Sequence, residues 1–227
     1  MKKNDINLAK QYNNFNESFS ASVASDNNIS RQAFYQSLQF NLKEKTLLDL
    51  ACGDGQDLKE YQKRGAKCFG IDSSEKLIET AINSNPEVEC VVGDMRKLPY
   101  KNESFDIVVS KYAIGTVENI DEVFVEVSRV LKSGGVFAFL TTHPMRLFME
   151  QKESSRDYFM QKNVSLNVFG GKFTIVEPSH TFNEFFSQKY LEHFNVTLFS
   201  EHYDPQSANF PGREIYPDFF ILVANKK

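Results

Sequence analysis

The chain has 227 residues, of which 41% are hydrophobic and 25% charged, with a formal net charge of -4. That length suits one domain with a sizeable core, and a mild acidity with no basic block excludes the electrostatic footprint that a nucleic-acid duplex or an anionic membrane demands. Cys52, Cys68 and Cys90 lie at or beside expected buried strands and read as reduced thiols, and no apolar run has the length of a signal peptide or membrane span, so the expected location is the cytoplasm.

Leu8, Tyr12, Phe15, Phe19 and Val23 recur at helical spacing and predict an amphipathic helix over residues 8–23. Ser30 reads as the cap of a second helix over residues 31–40. From residue 46 short apolar runs alternate with amphipathic helices, the pattern of βαβ units and a parallel sheet. Strands are expected at 46–50, 67–71, 87–92, 105–110 and 136–142, with helices near 57–64, 75–83 and 121–131 between them. After residue 143 the alternation fails for about fifty residues, where phenylalanines sit among polar residues around Gly170-Gly171. A helix over 183–193 and strands over 196–202 and 219–224 close the chain. The fold class expected is α/β, a Rossmann-like doubly wound and mostly parallel seven-stranded sheet, with an antiparallel final pair and an inserted lid. One domain divides into leading helices (1–45), a core (46–142), a lid (143–182) and a closing segment (183–227).

The segment Leu47-Leu48-Asp49-Leu50-Ala51-Cys52-Gly53-Asp54-Gly55 is a buried strand running into a small-residue turn that opens a helix. Ligands of open α/β sheets lie beyond the carboxyl ends of the strands, where this turn falls. The second strand ends in Asp72, about twenty residues on, where an acidic residue hydrogen-bonds a ribose hydroxyl. The third ends in Asp94-Met95, a carboxylate and an apolar side chain suited to an adenine amino group and ring. Asp54 stands where a dinucleotide fingerprint would admit pyrophosphate, and Leu58 replaces its third glycine. The acidic rim of Asp49, Asp54, Asp72 and Asp94 suits a nucleoside without phosphates that carries cationic groups, as S-adenosylmethionine does.

In order and spacing, LLDLACGDG, CFGIDSS, VVGDMRKLP, FDIVVSKYAIG and RVLKSGGVFAFLT across residues 46–142 resemble the core of class I S-adenosylmethionine-dependent methyltransferases of the small-molecule type. The resemblance implies that Gly53 and its turn, Ala51 and Cys52 included, back the amino-acid tail of the cofactor, that Asp72 binds the ribose, and that Asp94 with the Met95 amide reads adenine, with Asp49 and Ser73 as further cofactor-binding residues. It places Ser110, Lys111 and Tyr112 where the methionine moiety ends and the acceptor begins, and has Tyr12 and Arg31 covering the cofactor and pairing with its carboxylate. His143, beyond the fifth strand, and Tyr112 are the candidates for proton transfer or acceptor positioning, since an unperturbed imidazole titrates near neutrality. No His/Cys cluster has zinc spacing, so no metal is expected. The expected activity is methyl transfer to O or N of a small organic acceptor, apolar or aromatic if the lid phenylalanines line its pocket, with no oligomeric state implied. The alternatives are a protein side-chain acceptor and a cofactor-binding module without turnover.

Overall fold

In the computed structural model of the chain, which describes residues 8–14, 29–151, 155–168, 171–204 and 215–227, the apolar runs of the central segment become interior strands. β1 (Thr46–Leu50), β2 (Lys67–Asp72), β3 (Glu89–Val92), β4 (Phe105–Lys111) and β5 (Leu131–Thr142) are parallel, in spatial order 3-2-1-4-5. Residues of β1 and β4 are buried on both faces, which a parallel sheet requires because its crossover helices cover both sides. β9 (Phe219–Lys226) runs antiparallel between β5 and β8 (Phe194–His202) and completes a seven-stranded sheet. The fold is therefore the expected one, with the last strand inserted beside the fifth. β8 is parallel to the first five strands, so β9 alone is reversed.

Two cores lie against the sheet. On one face Phe34 of α2 (Ile29–Ser37), Leu58 and Tyr61 of α3 (Gln56–Lys63) and Ile78 of α4 (Glu75–Ser84) pack on Leu47, Val109 and Leu140. On the other, Phe124 and Val127 of α5 (Ile120–Val130) meet Leu48, Val108, Phe137 and Phe139. α2 starts at Ile29, so Ser30 lies inside the helix and hydrogen-bonds with Tyr112 instead of capping. A short helix α1 (Leu8–Asn13) is the described part of the expected helix over residues 8–23, and Phe15, Phe19 and Val23 lie outside the described residues.

The segment after residue 143 is more regular than its sequence predicts. It contains α6 (Pro144–Met149) and an antiparallel hairpin of β6 (Asn163–Val168) and β7 (Phe173–Pro178), with Leu147, Val164, Leu166 and Ile175 forming a small core of their own. Gly170 and Phe169 lie outside the described residues. The single helix expected over 183–193 is two, α7 (Phe182–Phe185) and α8 (Gln188–His193), because the Ser187 hydroxyl accepts from Tyr190 N at 3.1 Å and caps a new start. Phe182, Phe185 and Phe186 pack into the main core, with Phe182 and Phe185 against Phe220 at centroid distances of 5.4 and 5.0 Å. No helix among the described residues is long and apolar enough to cross a membrane.

The turn after β1 decides where the sheet edge opens. Ala51, Gly53 and Gly55 take left-handed φ of 62°, 56° and 78° in a single turn. A Cβ on Gly55 would come within 2.6 Å of Asn85 Nδ2, which donates to the Gly55 carbonyl at 3.1 Å. A left-handed non-glycine residue costs about 1–2 kcal/mol, and this contact adds to it. Gly55→Ala is expected to lose about 2 kcal/mol, seen in urea unfolding as a lower midpoint at unchanged slope; a midpoint equal to that of the unmodified chain contradicts the turn geometry.

Candidate active site

The carboxyl ends of β1, β2 and β4 meet at one edge, and backbone donors hold them there. Asp72, at the end of β2, accepts from Gly53 N and Ser74 N, each at 2.9 Å, and from the Ser73 amide. Burial raises its carboxyl above the ordinary range, while those amides pull it back. Gly53 itself has nothing within 4 Å of where a Cβ would stand, so the turn faces open space.

Asp57, in the first turn of α3, is the centre of charge. Its carboxylate pairs with Arg31 Nε of α2 at 3.1 Å and with Lys111 Nζ at the end of β4 at 2.5 Å, and the Tyr35 hydroxyl donates to it. Burial would raise this acid, but Lys111 and Arg31 outweigh burial and hold it below the usual carboxylate range. Asp49 lies within electrostatic reach of Asp57, Lys111 and Asp72, and its Oδ2 is buried with no hydrogen-bond partner among the described residues. Burial, and then the Asp57 charge, raise its carboxyl well above the ordinary range. An ammonium group placed on Oδ2 would satisfy that oxygen and reverse the shift.

These features fit a zwitterionic amino-acid tail, with its carboxylate toward Arg31 and Lys111 and its ammonium toward Asp49. The structure thus brings together Arg31, Asp49, Gly53, Asp72 and Lys111. Asp57 and Tyr35 were absent from the sequence reading. Ala51 takes part in the turn with its left-handed φ of 62°. The Cys52 side chain turns into the core and hydrogen-bonds with Cys90 across Gly70, where a Cβ would lie 2.8 Å from its Sγ.

Other expected site residues are engaged differently. The Ser110 hydroxyl is buried and donates to Leu50 O at 2.9 Å, so it ties β4 to β1 and is not presented to a ligand. Asp94 is gripped by Arg96 through its backbone N (2.8 Å), Nε (3.1 Å) and Nη2 (2.7 Å), which lower its carboxyl and leave the Met95 amide and the exposed Val92 side chain for a base. His143 caps α6: its Nδ1 accepts from Met145 N at 3.0 Å, so Nε2 carries the proton toward Glu201 Oε1 at 2.8 Å. Burial lowers this imidazole despite Glu201, and both ring nitrogens are hydrogen-bonded within the protein. Tyr112, in a left-handed conformation (φ 52°), has a phenol raised by burial that stays protonated at neutral pH. Burial raises the Tyr12 phenol, and the charges of Glu177 of β7 and of Asp72 add to it. α1 also grips β7, where Gln11 accepts from Val176 N at 2.9 Å, and grips α4, where the Ser74 hydroxyl donates to Asn13 Oδ1 at 2.6 Å. Among the described residues no cluster of three or more His, Cys, Asp or Glu side chains is arranged for a metal.

A carboxylate has about four acceptor directions, and backbone amides leave Asp72 room for ribose hydroxyls. Bonds to a charged group are worth about 1.5–3 kcal/mol, so Asp72→Ala is expected to weaken S-adenosylhomocysteine binding roughly ten- to a hundredfold by calorimetry. An unchanged dissociation constant in a folded variant removes Asp72 from the site.

Comparison with known proteins agrees with this geometry. Residues 48–139 match the family described as "Methyltransferase domain". An uncharacterized methyltransferase of Synechocystis is 32% identical over 114 residues, 45% of this chain and 54% of that protein. A demethylmenaquinone methyltransferase of Lactobacillus johnsonii is 31% identical over 121 residues, 49% of each. The chain spans about half the length of these curated relatives. The crystal structure of an S-adenosylmethionine-dependent methyltransferase from Mesorhizobium loti superimposes with a TM-score of 0.69 at 21% identity, over 86% of this chain and 97% of that one, and shares its fold. The match over residues 48–139, together with the shared fold, supports a class I S-adenosylmethionine-dependent methyltransferase.

Proposed function

We propose that the chain transfers the methyl group of S-adenosylmethionine to an oxygen or nitrogen of a small organic acceptor. The observation that carries this is the arrangement of charge at the sheet edge: the cations Arg31 and Lys111 gathered on Asp57, a buried Asp49 oxygen with no hydrogen-bond partner among the described residues, and Asp72 beside an open glycine turn. The sulfonium supplies an activated methyl group when the cofactor is bound. What the protein adds is alignment of the acceptor with that methyl group, and the removal of a proton. Residues 143–182 form the cover over the acceptor side in this reading, with α1 latched to both the cover and α4.

The acceptor we expect is more polar than the phenylalanine-rich sequence implies. Phe182, Phe185 and Phe186 are spent on the core, whereas Arg146, Thr142 and Glu177 are buried where the cover meets the end of β5. A small molecule presenting an O–H or N–H group suits that environment.

Calorimetry is expected to show S-adenosylmethionine and S-adenosylhomocysteine binding, with NAD and NADP not binding, because Asp54 at the turn repels a pyrophosphate. Incubation with methyl-labelled cofactor and a small-metabolite extract should then yield a labelled small product. Comparable affinity for NAD contradicts the reading.

A further inference from the structure

The β6–β7 hairpin aligns Phe173, Ile175 and Glu177 along one strand at alternate positions, opposite Val168, Leu166 and Val164. A carboxylate thus ends an apolar row. Glu177 is 3% exposed; it hydrogen-bonds with Thr142 at the end of β5, yet its Oε1 has no hydrogen-bond partner among the described residues. A buried acceptor left unpaired is destabilising, and a donor brought by a ligand removes that cost.

The groups facing Glu177 come from four places. Arg146 of α6 and His180 after β7 favour its charged form, Glu150 after α6 opposes it, and Tyr12 of α1 feels the charge of both Glu177 and Asp72. The two nearby bases are committed elsewhere. Arg146 pairs with Glu150 at 2.9 Å and donates to Asn167 O at 3.3 Å, while His180 meets Glu184 at 3.2 Å and Val117 O at 3.0 Å. Burial is the largest influence, and the carboxyl is pushed up to about 7. α1, bonded to Val176 beside Glu177 through Gln11 and to Ser74 two residues past Asp72 through Asn13, links Glu177 to the ribose edge, and its hydrogen bond to Thr142 links it to the end of β5. An acceptor would stand between those two points.

We propose that Glu177 is the proton acceptor of the transfer, its Oε1 taking the hydrogen bond and then the proton of the acceptor's O–H or N–H group. This rests on the methyltransferase reading above. The acceptor heteroatom bonds to the methyl carbon, the carbon–sulfur bond breaks with its electron pair kept by sulfur, and the acceptor's proton passes to Glu177. One positive and one negative charge are neutralised together, and the proton leaves to water once product has gone. A base works ionised, so the rate rises with pH through the Glu177 carboxyl's own range.

Two measurements on the whole chain saturated with S-adenosylhomocysteine or its methylated form test this. Carbon NMR of protein labelled at the glutamate carboxyls should show one resonance titrating near neutrality that is missing from Glu177→Gln; titration of every glutamate in the ordinary acid range overturns the proposal. Methyl-labelled cofactor with phenol, imidazole and ethanolamine as surrogate acceptors should give a rate rising to a plateau across neutral pH. Glu177→Gln should be about a hundredfold slower or more, without the rising limb, and with S-adenosylhomocysteine affinity within twofold. Retained rate and limb, or loss of affinity in step with rate, overturns the assignment. Transfer by neither protein despite intact S-adenosylhomocysteine binding tells against the transferase reading, and the base falls with it.

Discussion

The site depends on one shared carboxylate. Asp57 holds Arg31 from α2 and Lys111 from β4 around the first turn of α3, so three elements distant in sequence converge on a single acid. Removing one partner of a buried ion pair leaves an uncompensated charge, which makes the cluster costly to break and fixes the helices over the sheet edge. Its sign also matters, because Arg31 and Lys111 set two cations where a ligand carboxylate would lie. Asp49, raised by burial and by Asp57, holds the opposite demand a strand away.

The remaining geometry follows from the parallel sheet. Strands buried on both faces point all their carboxyl ends one way, and the turn after β1 folds back in left-handed steps so that Gly53 N can donate to Asp72. The antiparallel β9 then lets β8 and the closing helices cover the far side of β5. That leaves the hairpin and α6 above the end of β5, where Thr142 and Glu177 meet.

The sheet was legible in the sequence because doubly buried strands read as continuous apolar runs, and the turn and Asp72 because their roles depend on local spacing. Asp57 was not, since its partners lie far away in the chain and its neighbours in α3 are polar. The hairpin was missed because each strand is six residues long with a polar outer face, too short for its alternation to stand out. Glu177 did leave a signal: it falls in phase with Phe173 and Ile175, an acid on an apolar face. His143 left one too. It precedes Pro144, the order of a helix cap followed by proline at the first helical position, and the structure uses it in that way.

The most direct test of the account is a crystal structure of the chain with S-adenosylhomocysteine. The ribose hydroxyls should lie on Asp72, the amino group on Asp49 Oδ2, the carboxylate toward Arg31 and Lys111, and the sulfur on the side of the cleft nearer Tyr12 and Glu177. A ligand seated away from the carboxyl ends of β1 and β2, or one whose carboxylate points from the Asp57 cluster, contradicts it.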